Sequence, residues 1–366
     1  MSSVFSVFRL RGFSGSVLSF LRLDEGSCLL FFVLGLVLRG APELLVSWYP
    51  VGYETITYYA PAMVSFAGKG LLDVFVESFR AGPLFYVLMW FVVNVTGADA
   101  FVVLKVVGPL LYGGLLVSFF VFLRRGLRFE WKLAFVASFL LAFQVAALRE
   151  SWDRFRTVLG LGFLFWALTG LKSDSKHKWW FVGVLSLLTV LSREYVGLVL
   201  FVCVLGFAFW ERRDRVRSVV ALVPALVVFG VADVPGLFGS AVSYATAGLT
   251  VTGGYLWAVE DVFVIFLVCY LGLLPFVVAG WRRDRLVWPM VVWLLLGSFS
   301  VLFPFVAVVG YQRWLMLLVF PFCVFAAWGF ERLGFFSKRR LWMLVAVLLG
   351  FVVVGAGYST GAFSYV

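Results

Sequence analysis

Charge is scarce in this chain. Only 13% of its 366 residues are Asp, Glu, Lys or Arg, 63% are hydrophobic, and the mean hydropathy is +1.04. Soluble domains carry about 25% charged and roughly 45–50% apolar residues, so a soluble fold is excluded. The ten-residue alternating segments of a membrane barrel are missing too. The apolar runs are long and continuous, which leaves α-helices to satisfy the backbone in lipid. Histidine is nearly absent: His177, in the basic loop KSDSKHK, reads as a solvated residue with no catalytic part. The four cysteines, Cys28, Cys203, Cys269 and Cys323, each stand alone in an apolar run. They give no metal spacing and no disulfide framework, and read as small core residues. Acid is in short supply, with 19 Asp+Glu against 30 Lys+Arg and a net charge of +11. In a soluble protein that excess would suggest nucleic acid. Here the basic residues form short clusters between apolar runs, the mark of loops kept on the cytoplasmic side, and no nucleic-acid partner is expected.

Apolar runs lie near 27–46, 83–96, 100–123, 131–149, 155–171, 179–192, 195–210, 216–232, 259–280, 286–309, 314–330 and 341–357. The basic clusters decide which of them cross. They are the N-terminal 1–26, RRGLRFEWK (124–132), KSDSKHK (172–178), ERRDRVR (211–217), WRRDR (281–285) and ERLGFFSKRR (331–340). If every run crosses, all clusters from RRGLRFEWK onward fall outside. If 83–96 does not cross, all fall inside together, with 21 of the 30 Lys+Arg on the inner side. That run is also short and opens with Gly82-Pro83. The expectation is therefore an all-α polytopic membrane protein of eleven spans forming one domain over 1–366. Its N-terminus is cytoplasmic, and residues 47–99 form an outer loop of juxtamembrane helices at 53–67, 71–80 and 83–96. The first run is an anchor and not a cleaved signal, because many spans follow it. Val4–Leu21 could lie in the interface as an amphipathic helix. A second long outer loop spans 233–258, and no internal repeat or separate soluble domain is visible.

Charges beside a membrane are costly, roughly 2.5–3.5 kcal/mol at a helix centre, and those retained are paired or functional. The outer ends carry few, of mixed sign. Glu54, in YPVGYETITYYAP, has two readings. One is an acid favouring a helix N-terminus. The other is a partly desolvated carboxylate suited to accept a proton. Arg193 in LSREYVG and Arg313 in GYQRWLM suit bidentate phosphate contact beside aromatic rings. Equally, Arg193 could pair with Glu194, and Arg313–Trp314 could be an interface anchor. RESWDRFR offers Glu150–Arg154 and Asp153–Arg156 as a salt-bridge lattice. Asp73, Glu77 and Arg80 follow one another on a short helix, as a solvated face or a cation site. Asn94-Val95-Thr96 matches a glycosylation acceptor, at a frequency near chance.

YPVGYETITYYAP resembles the first outer loop of the GT-C membrane glycosyltransferases, archaeal ones in particular. This broad class includes protein O-mannosyltransferases, lipid A aminoarabinose transferases and oligosaccharyltransferase catalytic subunits. AGPLFYVLMWFVVNVTG, SWDRFRTVLGLGFLF and YQRWLMLLVFPFCVFAAWG are similar to later segments of the same class, in order. The resemblance implies a GT-C-like bundle that transfers a sugar from a polyprenyl-phosphate donor to a lipid, glycan or protein acceptor on the extracytoplasmic face. It implies Glu54 as general base in an inverting attack. Arg193 and Arg313, with Arg80 as a third, would hold the donor phosphate. Tyr53, Tyr58, Tyr195, Tyr311, Gln312 and Trp314 would lie toward the sugar. A divalent metal is compatible with the class, but the acids are too scattered to name ligands. Two departures stand out. The acid is Glu where close relatives carry Asp. No large outer domain with a Trp-Trp-Asp motif follows the last span, which argues against asparagine-linked transfer. The rival readings are a transporter or flippase of lipid-linked sugars, which would usually show repeats and broken midplane helices, and a non-catalytic scaffold subunit.

Overall fold

A computed structural model describes residues 24–45, 50–211, 214–232, 263–281, 288–302, 311–337 and 339–359. Every regular element among them is helical. The stretch Val4–Leu21, the 233–258 loop and most of WRRDR lie outside the described residues.

The first helix, α1 (Asp24–Leu45), starts with Asp24 and Glu25 at the positive end of its dipole. It packs antiparallel against α5 (Ala100–Val121), which runs on through one π turn to Gly126. Asp24 pairs with Arg124 at 2.8 Å at one end of this pair. At the other end, Gly108 backs onto the Arg39 guanidinium. Between them Gly35 meets Gly113 so closely that a Cβ on Gly35 would lie 2.6 Å from the Gly113 Cα. Small residues let backbones approach where lipid supplies no hydrophobic drive. Gly35→Val is expected to cost roughly 1–3 kcal/mol through overpacking. A thermal midpoint in detergent equal to that of the wild type would refute this.

Five described helices are long and apolar enough to cross a bilayer: α1, Ala100–Gly126, α11 (Arg215–Ala232), Arg313–Arg332 and Leu341–Tyr358. Two further helix pairs qualify as bent units. They are α6 (Trp131–Phe143) with α7 (Val145–Asp153), at 58°, and α12 (Phe263–Tyr270) with α13 (Leu274–Gly280), at 76°. The chain is thus a multi-pass integral membrane protein with up to seven such spans among the described residues. Shorter apolar helices are α4 (Pro83–Thr96), α8 (Phe155–Leu171), α9 (Lys178–Ser192), α10 (Glu194–Trp210) and α14 (Trp288–Leu302).

A broken helix in lipid frees carbonyls that no water can reach. Here the breaks are met in series. Tyr112 donates to Ala142 O at 2.9 Å, with Leu141 O at 3.3 Å, where α6 ends. Gln144, the residue between α6 and α7, donates its side-chain amide to Cys269 O, near the end of α12. Tyr270, the last residue of α12, donates to Leu315 O at 2.6 Å, with Met316 O at 3.2 Å. Those carbonyls lie where α15 (Tyr311–Leu317) gives way to α16 (Val319–Arg332).

The first loop is built as expected from its pattern. A π turn, Thr55–Tyr59, runs into α2 (Ala60–Ser65), then α3 (Leu71–Ser78), a tight turn Phe79–Ala81, and α4. With 14 residues, α4 measures about 21 Å, short of a bilayer. These pieces have their own small core, in which Tyr59, Phe66, Phe85, Tyr86 and Met89 pack against Val103, Leu104 and Phe155 at the starts of α5 and α8.

Candidate functional site

The sequence brings the loop back onto the bundle through one buried ion pair. Arg39 is fully buried and meets Glu43 one turn later at 2.5 Å. Arg39 also donates to Ser151 O at 3.1 Å and to Val51 O at 3.5 Å, and Glu43 accepts from the Val51 N–H at 3.0 Å. This strut ties the start of the loop to α7. Gly52 then crosses the Trp152–Asp153 peptide with φ +116°, and a Cβ there would lie 2.8 Å from Asp153 Oδ1. Only glycine suits both the angle and the space. Thr55 adds a bond from its hydroxyl to Trp152 O at 3.0 Å. Glu54, between these two anchors, has its position fixed on both sides.

Its carboxylate is partly exposed and faces two guanidiniums. Arg313 Nη2 lies 3.8 Å and Arg154 Nε 3.9 Å from Glu54 Oε1. Both distances exceed direct hydrogen bonding, so the acid is flanked but not clamped. Arg154 is the single residue between α7 and α8, with φ −131° and ψ 58°, and it bonds Glu150 behind it. Arg193 is likewise the single extended residue between α9 and α10. The Tyr195 hydroxyl accepts from both Arg193 and Arg313, and Arg193 Nε stands 3.6 Å from Glu194. Arg156 reaches the Tyr59 hydroxyl at 3.3 Å and lies over the Tyr59 and Tyr86 rings. Four arginines (154, 156, 193, 313) thus gather with three glutamates (54, 150, 194) at one end of the bundle. The surplus favours an anion, and a guanidinium suits phosphate oxygens. Glu150 Oε2, Asp153 Oδ1 and Arg193 Nε are buried there without a hydrogen bond among the described residues. Buried groups of this kind are normally met by water or a ligand.

The structure therefore brings Glu54, Arg193, Arg313 and Tyr195 together. Tyr53 and Tyr58 are on the same loop and mostly exposed. One expected pairing needs correcting, that of Asp153, and Trp314 and Arg80 have surroundings unlike those of Arg193 and Arg313. Trp314 is buried, packed at a tilt against Tyr195 with ring centres 6.1 Å apart, so it supports that ring from within the core. Asp153 pairs with Arg149 at 2.9 Å and not with Arg156, because the break at Arg154 turns Arg156 toward Tyr59. Arg80 is exposed on the turn before α4 and makes no ion pair with a described carboxylate. Gly82, two residues on, does lie against Ser192 O, beside Arg193. The side chains of Tyr311 and Gln312 lie outside the described residues. Glu77 is taken by Lys69 at 2.7 Å, and Asp73 accepts from the Gly70 N–H at 3.2 Å. Among the described residues no three His, Cys, Asp or Glu side chains gather as a metal site.

Sequence reasoning missed Arg154 as a neighbour of Glu54, and Arg39–Glu43 as the strut. The i,i+4 spacing of each pair was the available signal; it shows a pair and not what the pair holds. Compared with protein-family models and with curated proteins, the chain matches none of them.

Proposed function

We propose that the chain is a GT-C-type membrane glycosyltransferase. It moves a sugar from a polyprenyl-phosphate donor to an acceptor hydroxyl, with Glu54 as general base. The observation that carries this reading is a partly exposed carboxylate 3.8–3.9 Å from two guanidiniums, Arg313 and Arg154, with a third, Arg193, linked to Arg313 through Tyr195. In the proposed step Glu54 takes the acceptor proton and the acceptor oxygen attacks the anomeric carbon. The bond from that carbon to the phosphate oxygen breaks with inversion. The polyprenyl phosphate leaves with the electron pair, its charge met by Arg313 and Arg193, the kind of preorganised stabilisation that lowers such barriers. Arg154 holds Glu54 in place from the other side. Arg80, exposed nearby in sequence, is a further phosphate candidate.

In the same proposal the bundle has eleven spans. Four shorter helices, α8, α9, α10 and α14, cross together with the seven units above, and α4 lies along the surface. The N-terminus and the basic loops are cytoplasmic, and Glu54 faces the opposite side.

The test is transfer of radiolabelled sugar by the purified protein from a panel of polyprenyl-phosphate sugars. Turnover with at least one donor is expected. Tight donor binding with no turnover from any donor would instead assign the chain to carriers of lipid-linked sugars. Neither binding nor turnover would leave the scaffold reading.

A further inference from the structure

The bundle end opposite Glu54 holds two adjoining cavities. One, of about 450 Å³, lies where α5, α8 and α9 end or begin. Its polar side carries Arg125, Lys172 and Lys178, and its apolar side Trp166, Trp180 and Phe181. No carboxylate lines it. The second, of about 350 Å³, shares Arg125 and Trp166. It runs along α1 and α5 past Val117 and Phe120, with Asp24 and Glu25 also in its wall.

The three cations are engaged to different degrees. Lys178 is held by Asp214 at 2.9 Å. The Lys172 ammonium lies 4.7 Å from the Phe207 ring centre, and burial lowers it below the usual lysine range, though Glu211 opposes this. Arg125 is exposed and pairs with no described carboxylate, since Asp24 is taken by Arg124. The aromatic wall faces outward: Trp180 is 73% exposed and Phe181 41%. A bare topology signal needs only charge. Here charge borders a cavity whose other wall is aromatic.

We infer that these cavities bind an anionic phospholipid of the leaflet opposite Glu54. Its phosphate sits among Arg125, Lys172 and Lys178, and its upper acyl segment lies along Trp166, Trp180 and Phe181. Arg offers a bidentate fork to phosphate oxygens and Lys a point charge. Exposed Trp rings sit at headgroup depth. Basic pockets between spanning helices suit anionic headgroups. This inference is independent of the sugar-transfer reading.

The experiment is native mass spectrometry of the full chain in mild detergent, titrated with phosphatidylglycerol or phosphatidylcholine. Phosphatidylglycerol retention is expected to fall roughly fivefold per removed charge in Arg125→Gln and in Arg125→Gln/Lys172→Gln. Lys132→Gln, exposed at the start of α6, should change nothing. Arg125→Gln alters an exposed side chain, so it decides the matter even where the double variant does not fold. Equal phosphatidylglycerol retention in Arg125→Gln and wild type would overturn the site. So would equal retention of the two lipids by the wild type. Displacement of the lipid by inorganic phosphate at equal concentration would overturn the lipid assignment in favour of a free-anion site.

Discussion

Glu54→Gln is expected to lower sugar transfer by roughly two to four orders of magnitude, the range that a positioned general base contributes. Donor-lipid binding should change little. Gln keeps the shape of the side chain and one acceptor oxygen but cannot take a proton from an alcohol. Stability offers no competing explanation. The Glu54 pairs with Arg154 and Arg313 are 3.9 and 3.8 Å long and partly exposed. Each contributes roughly 0–1 kcal/mol. The folding of the loop rests on Thr55, Gly52 and the strut, which the substitution leaves alone. Initial rates and thermal midpoint, measured together, separate the two effects. A variant that keeps both its rate and its midpoint would remove Glu54 from the reaction and leave the enzyme class standing.

Arg39→Met is expected to destabilise the protein by roughly 3–5 kcal/mol, as removing one partner of a buried ion pair does. Glu43 would remain buried with only the Val51 N–H to meet it. The two carbonyls that Arg39 serves, on Ser151 and Val51, would lose a donor as well. Adding Glu43→Gln should restore roughly 1–4 kcal/mol, because the stranded charge disappears. Recovery will stay incomplete, since the Ser151 carbonyl is still unmet. Chemical denaturation of the single and double variants gives the coupling directly. Simple additivity would mean that the pair does not act as a unit. Transfer should fall in both variants, because Val51 and Ser151 each precede a site residue, Glu54 and Arg154, by three positions.

The helical membrane class and the short helices of the first loop were legible in composition and run length. So was the grouping of Glu54, Arg193 and Arg313, because each is one of the few charges between apolar runs. The bends were not legible. The run 131–149 is continuous in hydropathy, yet it turns by 58° at Gln144, whose side chain is engaged with a carbonyl in a distant segment. Hydropathy has no term for that partner. The same limit hid Arg154. Its spacing from Glu150 was plain, but the single-residue turn that aims it at Glu54 is a backbone conformation, not a pattern. The burial of Trp314 was hidden for a related reason. Adjacent residues on a helix point different ways, so Arg313 reaches Tyr195 at the site while Trp314 enters the core.

The series of side chains that meet the helix breaks also has a direction in time. Translation delivers Gln144 to the membrane 125 residues before the carbonyl it serves, and Tyr270 45 residues before Leu315. The early bundle must therefore wait, with a polar amide uncommitted, until the later helices arrive. The break between α6 and α7 gains this last hydrogen bond only then, although the segments joined by the strut and by Thr55 are all synthesised earlier. A chain interrupted midway holds Glu54 and Arg154 but not Arg193, Tyr195 or Arg313, so the guanidinium cluster closes only when the later helices arrive.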